Sequence, residues 1–348
     1  MKRCLLIGAG HAHAVVLRSL AQTPLYGARI TLVSPQARQI YSGMLPGLIA
    51  GHYRREETEV DFLRVAGRAY VDLVQGSVRQ LDPGLRIAVL EDGTELSYDF
   101  ASLNVGSLID TSIPGSREHA LPAKPFDAFI DRLRVANHVA VAGAGAAGAE
   151  LAMALRHAGA AVTLYSAKPA FPPALAKRVT AVMRRAKIDF REGMAVEAVE
   201  AGPVVRNGPS RQEFDLVVLT TGAVALPWLR ASGLAADEKG FVLVHGTLQS
   251  VSHPSIFAAG DCAALDKGGE RKSGVYAVRQ GEALLHNLKA AVKGEPLKEH
   301  EARPRALSLI SCGARYAIAD WGNWNAQGRW VWYWKDRIDR RWVASFRV

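Results

Sequence analysis

The chain is short of cysteine. Its 348 residues include three, Cys4, Cys262 and Cys312, and no two stand in a close pair. That excludes a disulfide framework. Histidines and cysteines at metal-ligand spacing are missing too, so no metal site is expected. Isolated thiols of this kind suit the reducing cytoplasm. Long apolar runs are also absent. The longest weakly polar stretch, residues 139–155, is broken by Gly143, Gly145, Gly148 and Glu150, which leaves it too short and too glycine-rich to span a bilayer. The first residues mimic a signal peptide, with Lys2 and Arg3 before an apolar run and Ala12-His13-Ala14 in the place of a cleavage site. Gly8 and Gly10 interrupt that run and argue against this reading. Acidic residues are in deficit: 33 Asp and Glu against 43 Lys and Arg give a net charge of +10 and a pI near 9.6. The excess allows nucleotide phosphates, anionic lipid or nucleic acid as a partner without choosing among them.

What remains is an ordinary folded composition. An apolar content of 49% with 22% charged residues argues against disorder, and the 32 glycines follow no three-residue period. At roughly 150 residues per domain, the length suggests two domains and a remainder.

Two segments share one grammar. Residues 3–7 form a short apolar run, then come Gly8-Ala9-Gly10-His11-Ala12-His13, a helical stretch to Leu20 and a second apolar run at 30–33. Residues 138–142 are again apolar, followed by Gly143-Ala144-Gly145-Ala146-Ala147-Gly148, a helical stretch to His157 and an apolar run at 161–165. Each is strand, glycine-rich turn, helix, strand. Between them, residues 70–76, 78–81, 85–90 and 100–105 suggest strands, with turns at Asp82-Pro83-Gly84 and Asp92-Gly93 and a linker marked by Pro114, Pro122 and Pro125. Beyond the second copy, strands are expected at 216–220 and 256–259 and a helix at 272–291.

A glycine-rich turn lets backbone N–H groups approach a pyrophosphate, and the helix it opens adds partial positive charge. The second turn is a regular GxGxxG. In the first, His13 takes the place of the third glycine, which normally keeps helix and strand close; a different packing or an adjusted helix is therefore expected. Neither copy has the usual acidic ribose partner. The following strands end in Ser34 and Ser166, whose hydroxyls can still bond a ribose. The missing acid and nearby Lys168 would tolerate a 2′-phosphate at the second site. Lys177, Arg178, Arg184, Arg185 and Lys187 suggest a solvated basic helix face.

The two turns combine with Thr220-Thr221-Gly222 and Ile256-Phe257-Ala258-Ala259-Gly260-Asp261. This ordered set resembles the pyridine nucleotide-disulfide oxidoreductase superfamily, over about residues 3–290. The resemblance implies FAD on the first unit and NADH or NADPH on an inserted second unit. It places FAD against Gly8, Gly10, His11, Ala12, Ser34, Pro35, Val78, Gly106, Gly260, Asp261 and Ala277, with the Asp261 carboxylate on the ribitol. It places the nicotinamide nucleotide against Gly143, Gly145, Ala146, Ala147, Gly148, Ser166 and Gly222. The redox cysteine pair of the disulfide reductases is missing. What is left resembles the type II NADH dehydrogenase-like branch, whose GxGxxGxE puts a glutamate near the nicotinamide; Glu150 matches it. Lys124, in Pro122-Ala123-Lys124-Pro125, is a candidate cation beside the isoalloxazine. His11-Ala12-His13, Val33-Ser34-Pro35, Tyr41-Ser42-Gly43-Met44-Leu45-Pro46-Gly47 and Ala50-Gly51-His52-Tyr53 resemble, more closely, a subgroup sometimes fused ahead of selenide, water dikinase.

Six of the seven tryptophans lie in residues 321–348. Trp330, Trp332 and Trp334 alternate with Val331 and Tyr333, which predicts a strand. Trp334, Ile338, Trp342 and Phe346 recur every four residues, which predicts one face of a helix. Residues 329–348 carry six basic and two acidic side chains. Such a segment suits a membrane interface, the chain's own flavin domain or a second copy.

The expectation is an α/β protein with two Rossmann-like dinucleotide-binding domains, an FAD domain interrupted by an NAD(P)H domain, plus a short Trp-rich C-terminal segment. The boundaries are expected at 1–112 and 238–304, at 113–237, and at 305–348. The expected activity is hydride transfer from NAD(P)H to FAD and onward to a second acceptor, a quinone, without a redox-active disulfide. A reductase of a protein or selenium-containing acceptor, and a flavin-binding sensor, are the alternatives. The partners expected are NAD(P)H, a quinone, a membrane surface touched by residues 330–348 and a second copy in a homodimer, but no nucleic acid. The place is the cytoplasm, peripheral on the inner face of the cell membrane.

Overall fold

The structure is a computed structural model and describes residues 1–322 and 324–347. In chain order, the first glycine turn lies between β1 (Lys2–Ile7) and α1 (His11–Gln22), followed by β2 (Ala28–Ser34), β3 (Asp72–Gln75) and β4 (Phe100–Leu103). Next come β5 (Leu121–Pro122), β6 (His138–Ala142), α2 (Ala146–His157), β7 (Ala161–Ser166), α3 (Pro173–Arg185), β8 (Asp189–Glu192) and β9 (Leu216–Leu219). The chain then returns through β10 (Ile256–Ala258) and α4 (Gly274–Lys293). It closes with β11 (Ser308–Ser311), β12 (Ala317–Trp321), β13 (Trp324–Gly328) and α5 (Arg329–Ala344).

Two five-stranded sheets result, ordered β10-β4-β1-β2-β3 and β5-β9-β6-β7-β8. Every neighbouring pair in both is parallel. Parallel strands are covered on both faces, which is why Leu5, Leu6 and Ile7, and Val139, Ala140 and Val141, are unbroken apolar runs, all buried. In each sheet the strand order reverses beside the strand that leads into the glycine turn, between β1 and β4 and between β6 and β9. The crevice at the carboxyl ends of those strands is where an open α/β sheet takes its ligand, and both glycine turns open there. Helix α4 crosses α1 closely because Gly281 has no side chain. A Cβ there would lie 2.7 Å from the Cβ of Val15.

The C-terminal segment corrects one expectation. Residues 330–334 are not a strand; they begin α5. Helical spacing stacks Trp330 on Trp334, with ring centroids 6.4 Å apart, and puts Val331, Lys335, Asp339 and Val343 on one buried face. The stripe Trp334, Ile338, Trp342 and Phe346 is not the buried face as a whole: Trp334 and Ile338 are exposed, Trp342 is half-buried and Phe346 is buried. The three-stranded antiparallel sheet β11-β12-β13 carries this helix. Among the described residues no helix is long and apolar enough to cross a membrane.

His13 answers the question of the missing third glycine. It is fully buried in α1, and its ring spans the gap between helix and sheet. Nδ1 donates to the carbonyl of Gly8 at 2.5 Å, and Nε2 accepts from Ser102 Oγ at 2.8 Å. A polar strut thus replaces close glycine packing. Burial pushes its pKa down to about 4, against the pull of the Gly8 carbonyl. The ring is therefore neutral in the folded state. It binds a proton more readily in the unfolded chain, so its contribution is complete above the ordinary value of 6.5 and is lost as pH falls toward 4. About 3 kcal/mol is at stake. We expect denaturant-unfolding stability of the wild type to fall more steeply between pH 6.5 and 4 than that of His13→Gln, by about one bound proton. Parallel curves for the two proteins would show that His13 is not the buried neutral group described.

Candidate functional site

The first turn is built around one buried amide. Gly8 adopts φ +88°, and a Cβ on it would lie 2.6 Å from the carbonyl oxygen of Asn104. Gly10 N donates to that same carbonyl at 3.2 Å. The Asn104 side chain accepts from His13 N at 3.1 Å and donates to the carbonyl of Ala259 at 2.6 Å. Asn104 therefore ties the glycine turn to the end of β10, where Gly260-Asp261 follows. Gly10, at the N-cap of α1, has no side chain to bond the helix's first N–H groups, and Asn104 takes only that of His13.

Asp261 stands across that crevice. Its Oδ2 lies 2.7 Å from Lys124 Nζ, which also donates to Ser107 Oγ at 2.9 Å. Burial alone would raise the Asp261 pKa. Lys124 outweighs it, helped by Lys272 and His11, and the carboxyl is held below the ordinary carboxylate range. It is an ionised hydrogen-bond acceptor at neutral pH. His11, at the first position of α1, lies with its ring 5.4 Å from that of Tyr41 and 6.2 Å from that of Trp342 on α5. Burial lowers its pKa, with Asp261 pulling the other way. The C-terminal helix therefore reaches the wall of the first site. Gly106, at φ +73°, and Ala277, packed 3.2 Å from where a Gly260 Cβ would be, complete the surroundings.

The second turn follows the same logic with different parts. Gly143 has φ +105°, and a Cβ on it would lie 2.5 Å from the carbonyl oxygen of Thr220. Thr220 Oγ1 donates to Gly143 O at 2.7 Å. Gly148 faces Gly143 O too closely for any side chain. Gly145, Ala146 and Ala147 are exposed at the uncapped start of α2, open to a phosphate. Gly222, at φ +151°, lies just past β9. Ser166 is buried at the end of β7, and its hydroxyl donates to Lys168 O at 2.7 Å.

Other expected residues fall further out. Ser34 Oγ donates to Gln36 O at 2.8 Å and so shapes its own turn, while Pro35 O accepts from Gln75 Nε2 at 3.3 Å. Ala12 is buried in α1, and Val78 is buried at the start of an antiparallel ribbon. Glu150 turns toward the C-terminal segment, where its Oε1 accepts from Ser311 N of β11 at 2.8 Å. Burial raises its pKa, although Lys335 draws it down. Lys335 is itself buried and donates to Asp339 Oδ2 and to Gly43 O, both at 2.5 Å. Sequence reasoning missed Asn104, Ser107 and this Lys335–Asp339 pair. The four-residue spacing of Lys335 and Asp339 was the available signal for the pair; for Asn104 there was none. Among the described residues no group of three or more His, Cys, Asp or Glu could hold a metal ion.

A family model described as pyridine nucleotide-disulphide oxidoreductase matches residues 2–281. The NADH dehydrogenase-like protein YutJ of Bacillus subtilis is 25% identical over 86% of this chain and 86% of its own length. The alternative NAD(P)H-ubiquinone oxidoreductase C1 of Arabidopsis thaliana is 26% identical over 84% of this chain and 68% of its own. The sulfide:quinone oxidoreductase of Aquifex aeolicus superposes with a TM-score of 0.81 at 16% identity, covering all of this chain and 92% of that one. That likeness is one of fold.

Gly143→Ala is strained twice, by its φ and by the Thr220 carbonyl. Its affinity for NADH and NADPH is expected to drop by about tenfold or more while bound FAD is unchanged. Spectroscopic titration reads both. Wild-type nucleotide affinity in the variant would put the second nucleotide elsewhere.

Proposed function

The chain belongs to the pyridine nucleotide-disulphide oxidoreductase family, and from that premise we propose that this FAD-dependent oxidoreductase passes electrons from NAD(P)H to a quinone without a thiol relay. The observation that carries the reading is the Lys124–Asp261 pair, set at the crevice the first glycine turn opens, in a chain whose cysteines are all free and buried. Cys4 and Cys262 are pushed up to about 12 and about 11 by burial, and burial also raises Cys312. None offers a thiolate at neutral pH.

Bound FAD supplies the redox chemistry, taking up a hydride from NAD(P)H and releasing its electrons to the acceptor. The residues present fit that cofactor. Gly8, Gly10 and the open start of α1 receive a pyrophosphate, and Asp261 accepts from sugar hydroxyls. Lys124 would supply a positive charge in the crevice, partly offset by Asp261. Gly143, Gly145, Gly148, Ser166 and Gly222 hold the nicotinamide nucleotide. Glu150, half-buried, stands near the buried Lys335–Asp339 pair behind the Tyr41–Gly43 loop.

The acceptor reading also draws on α5. Its outer side presents Trp330, Tyr333, Trp334 and Ile338, with Trp321 and Trp324 from the adjoining hairpin, all exposed. Arg329, Arg337, Arg340 and Arg341 are exposed on the same helix. Aromatic and basic side chains on one surface suit an anionic lipid interface, where a quinone is delivered from the bilayer.

Anaerobic titration with NADH and with NADPH is expected to bleach the flavin absorbance, and a soluble quinone to restore it. Flavin that neither nucleotide reduces would favour a sensor. Reduced flavin that no quinone reoxidises would favour another acceptor. In vesicle sedimentation, Trp330→Ala with Trp334→Ala should weaken binding to anionic vesicles by at least about tenfold, with flavin content unchanged. Equal binding by variant and wild type would remove the membrane from the reading.

A further inference from the structure

Behind the Gly260-Asp261 turn lies a buried polar chain that no step above uses. Gly260 N donates to Gln280 Oε1 at 2.6 Å. Gln280 Nε2 donates to Glu270 Oε2 at 2.7 Å. Glu270 Oε1 lies 3.0 Å from His300 Nε2 and accepts from Arg303 N at 3.2 Å. The side chains of His300 and Glu270 are 7% and 4% exposed, and Gln280 is 6% exposed. Three segments meet here: the loop before α4, α4 itself and the strap that follows it.

The strap is held along its length. Asn287, fully buried on α4, donates to Thr247 O and Lys298 O and accepts from Lys298 N, at 2.7 to 2.8 Å. His300 N donates to Gly246 O at 2.8 Å, and Tyr276 OH donates to Pro304 O at 3.2 Å. The strap thus runs back along α4 and ends near the start of that helix. Burying a carboxylate costs several kcal/mol unless it is fully bonded. Simple docking of the strap would be served as well by apolar residues. Here the carboxylate receives donors from both sides and passes the constraint, through one amide, to a single backbone N–H.

That N–H belongs to Gly260, whose φ of +71° aims the next residue, Asp261, into the crevice. We propose that His300, Glu270 and Gln280 are positioning residues for the Asp261 carboxylate, fixing the Gly260-Asp261 turn from behind as Asn104 fixes it from in front. The inference rests on the reading of Asp261 as the partner of the FAD sugar hydroxyls. The two ends of Gln280 do different work. Its oxygen receives the turn, and its nitrogen answers the charge. The polarity of the whole chain is therefore fixed: the His300 and Arg303 donors point into Glu270, and Gly260 points into Gln280.

That polarity gives the test. In Gln280→Glu, the new carboxylate still accepts from Gly260 N but faces the carboxylate of Glu270. Adding Glu270→Gln restores a donor between the two positions, and the new amide oxygen still accepts from His300 and Arg303. FAD dissociation constants would be measured by flavin fluorescence, with the flavin midpoint potential and apoprotein melting alongside. The single variant is expected to bind FAD about tenfold more weakly with a shifted potential, and the double variant to return within about threefold of wild type. Unchanged affinity in Gln280→Glu, or failure of the double variant to restore it, overturns the proposal. If Gln280→Glu does not fold, His300→Leu at the far end of the chain reads the same link: weaker FAD binding supports it and wild-type binding overturns it. Asp261→Asn separates the two levels of the argument. If it binds FAD normally, the carboxylate reading itself fails. If it weakens FAD while Gln280→Glu does not, only the positioning chain fails.

Discussion

The first site depends on Asn104. Its backbone N–H bonds Ile7 O and its carbonyl takes Gly10 N, while its side-chain amide takes His13 N and gives to Ala259 O. One residue joins the end of β1, the start of α1 and the end of β10. These backbone groups lie at element termini, where pairing within the element runs out and an unpaired group is costly. The glycines follow from this. Gly8, Gly10 and Gly260 all lie where a Cβ would strike Asn104. The glycine pattern is in part the imprint of a neighbour distant in sequence.

This explains what was legible in the chain and what was not. The glycine turns, the apolar strands around them and the Gly260-Asp261 dipeptide can be read because their signals are local: a tight turn between two periodic runs has few alternatives. Asn104 cannot be read that way, since a lone amide after an apolar run looks like the start of any loop. His13 was visible as an anomaly, but its answer, a strut to Ser102, lies 89 residues away. The tail shows the opposite failure. Alternating tryptophans carry strand propensity, but that propensity is a preference for a half-buried pleated surface. Here the buried neighbours Val331, Lys335, Asp339 and Val343 stand at helical spacing, and packing decided the outcome. Strands β11 to β13, with their Ser, Ala, Asn and Gly, offered no periodic apolar signal at all.

Electrostatics at the site are local, whatever the net charge. The excess of basic residues leaves an overall positive chain, but the crevice is governed by a few close groups. Asp261 is buried and would titrate upward on that account; Lys124 at 2.7 Å reverses the sign. Lys272 contributes from the other side while its Nζ is held by Ala263 O and the face of Phe241. The carboxylate is thus kept ionised chiefly by fixed partners. Three serine and asparagine side chains, Ser102, Ser107 and Asn104, are buried within the same region because each has a partner.

The last helix has two tasks, and its sequence separates them by face. An inner face made only of leucine and valine would hold α5 in place, but several registers would satisfy it. The Lys335–Asp339 pair admits one, because Lys335 must also reach Gly43 O and because a slip would bury two unpaired charges. Tyr53 OH, donating to Asp336 Oδ1 at 2.7 Å, and Arg340, paired with Glu57, pin the flanks. The helix is thereby oriented by polar contacts, and Trp330, Tyr333 and Trp334 are released from core duty while Trp332 stays in the core. Trp342 is turned inward to His11, while Trp330 and Trp334 stack on each other in the open. Exposed tryptophan is costly to leave in water, and a helix already anchored by charge has no structural need of it. The side chains that hold α5 and the aromatic side chains it displays are different residues, and the aromatic surface it displays was therefore free to be shaped by what it meets.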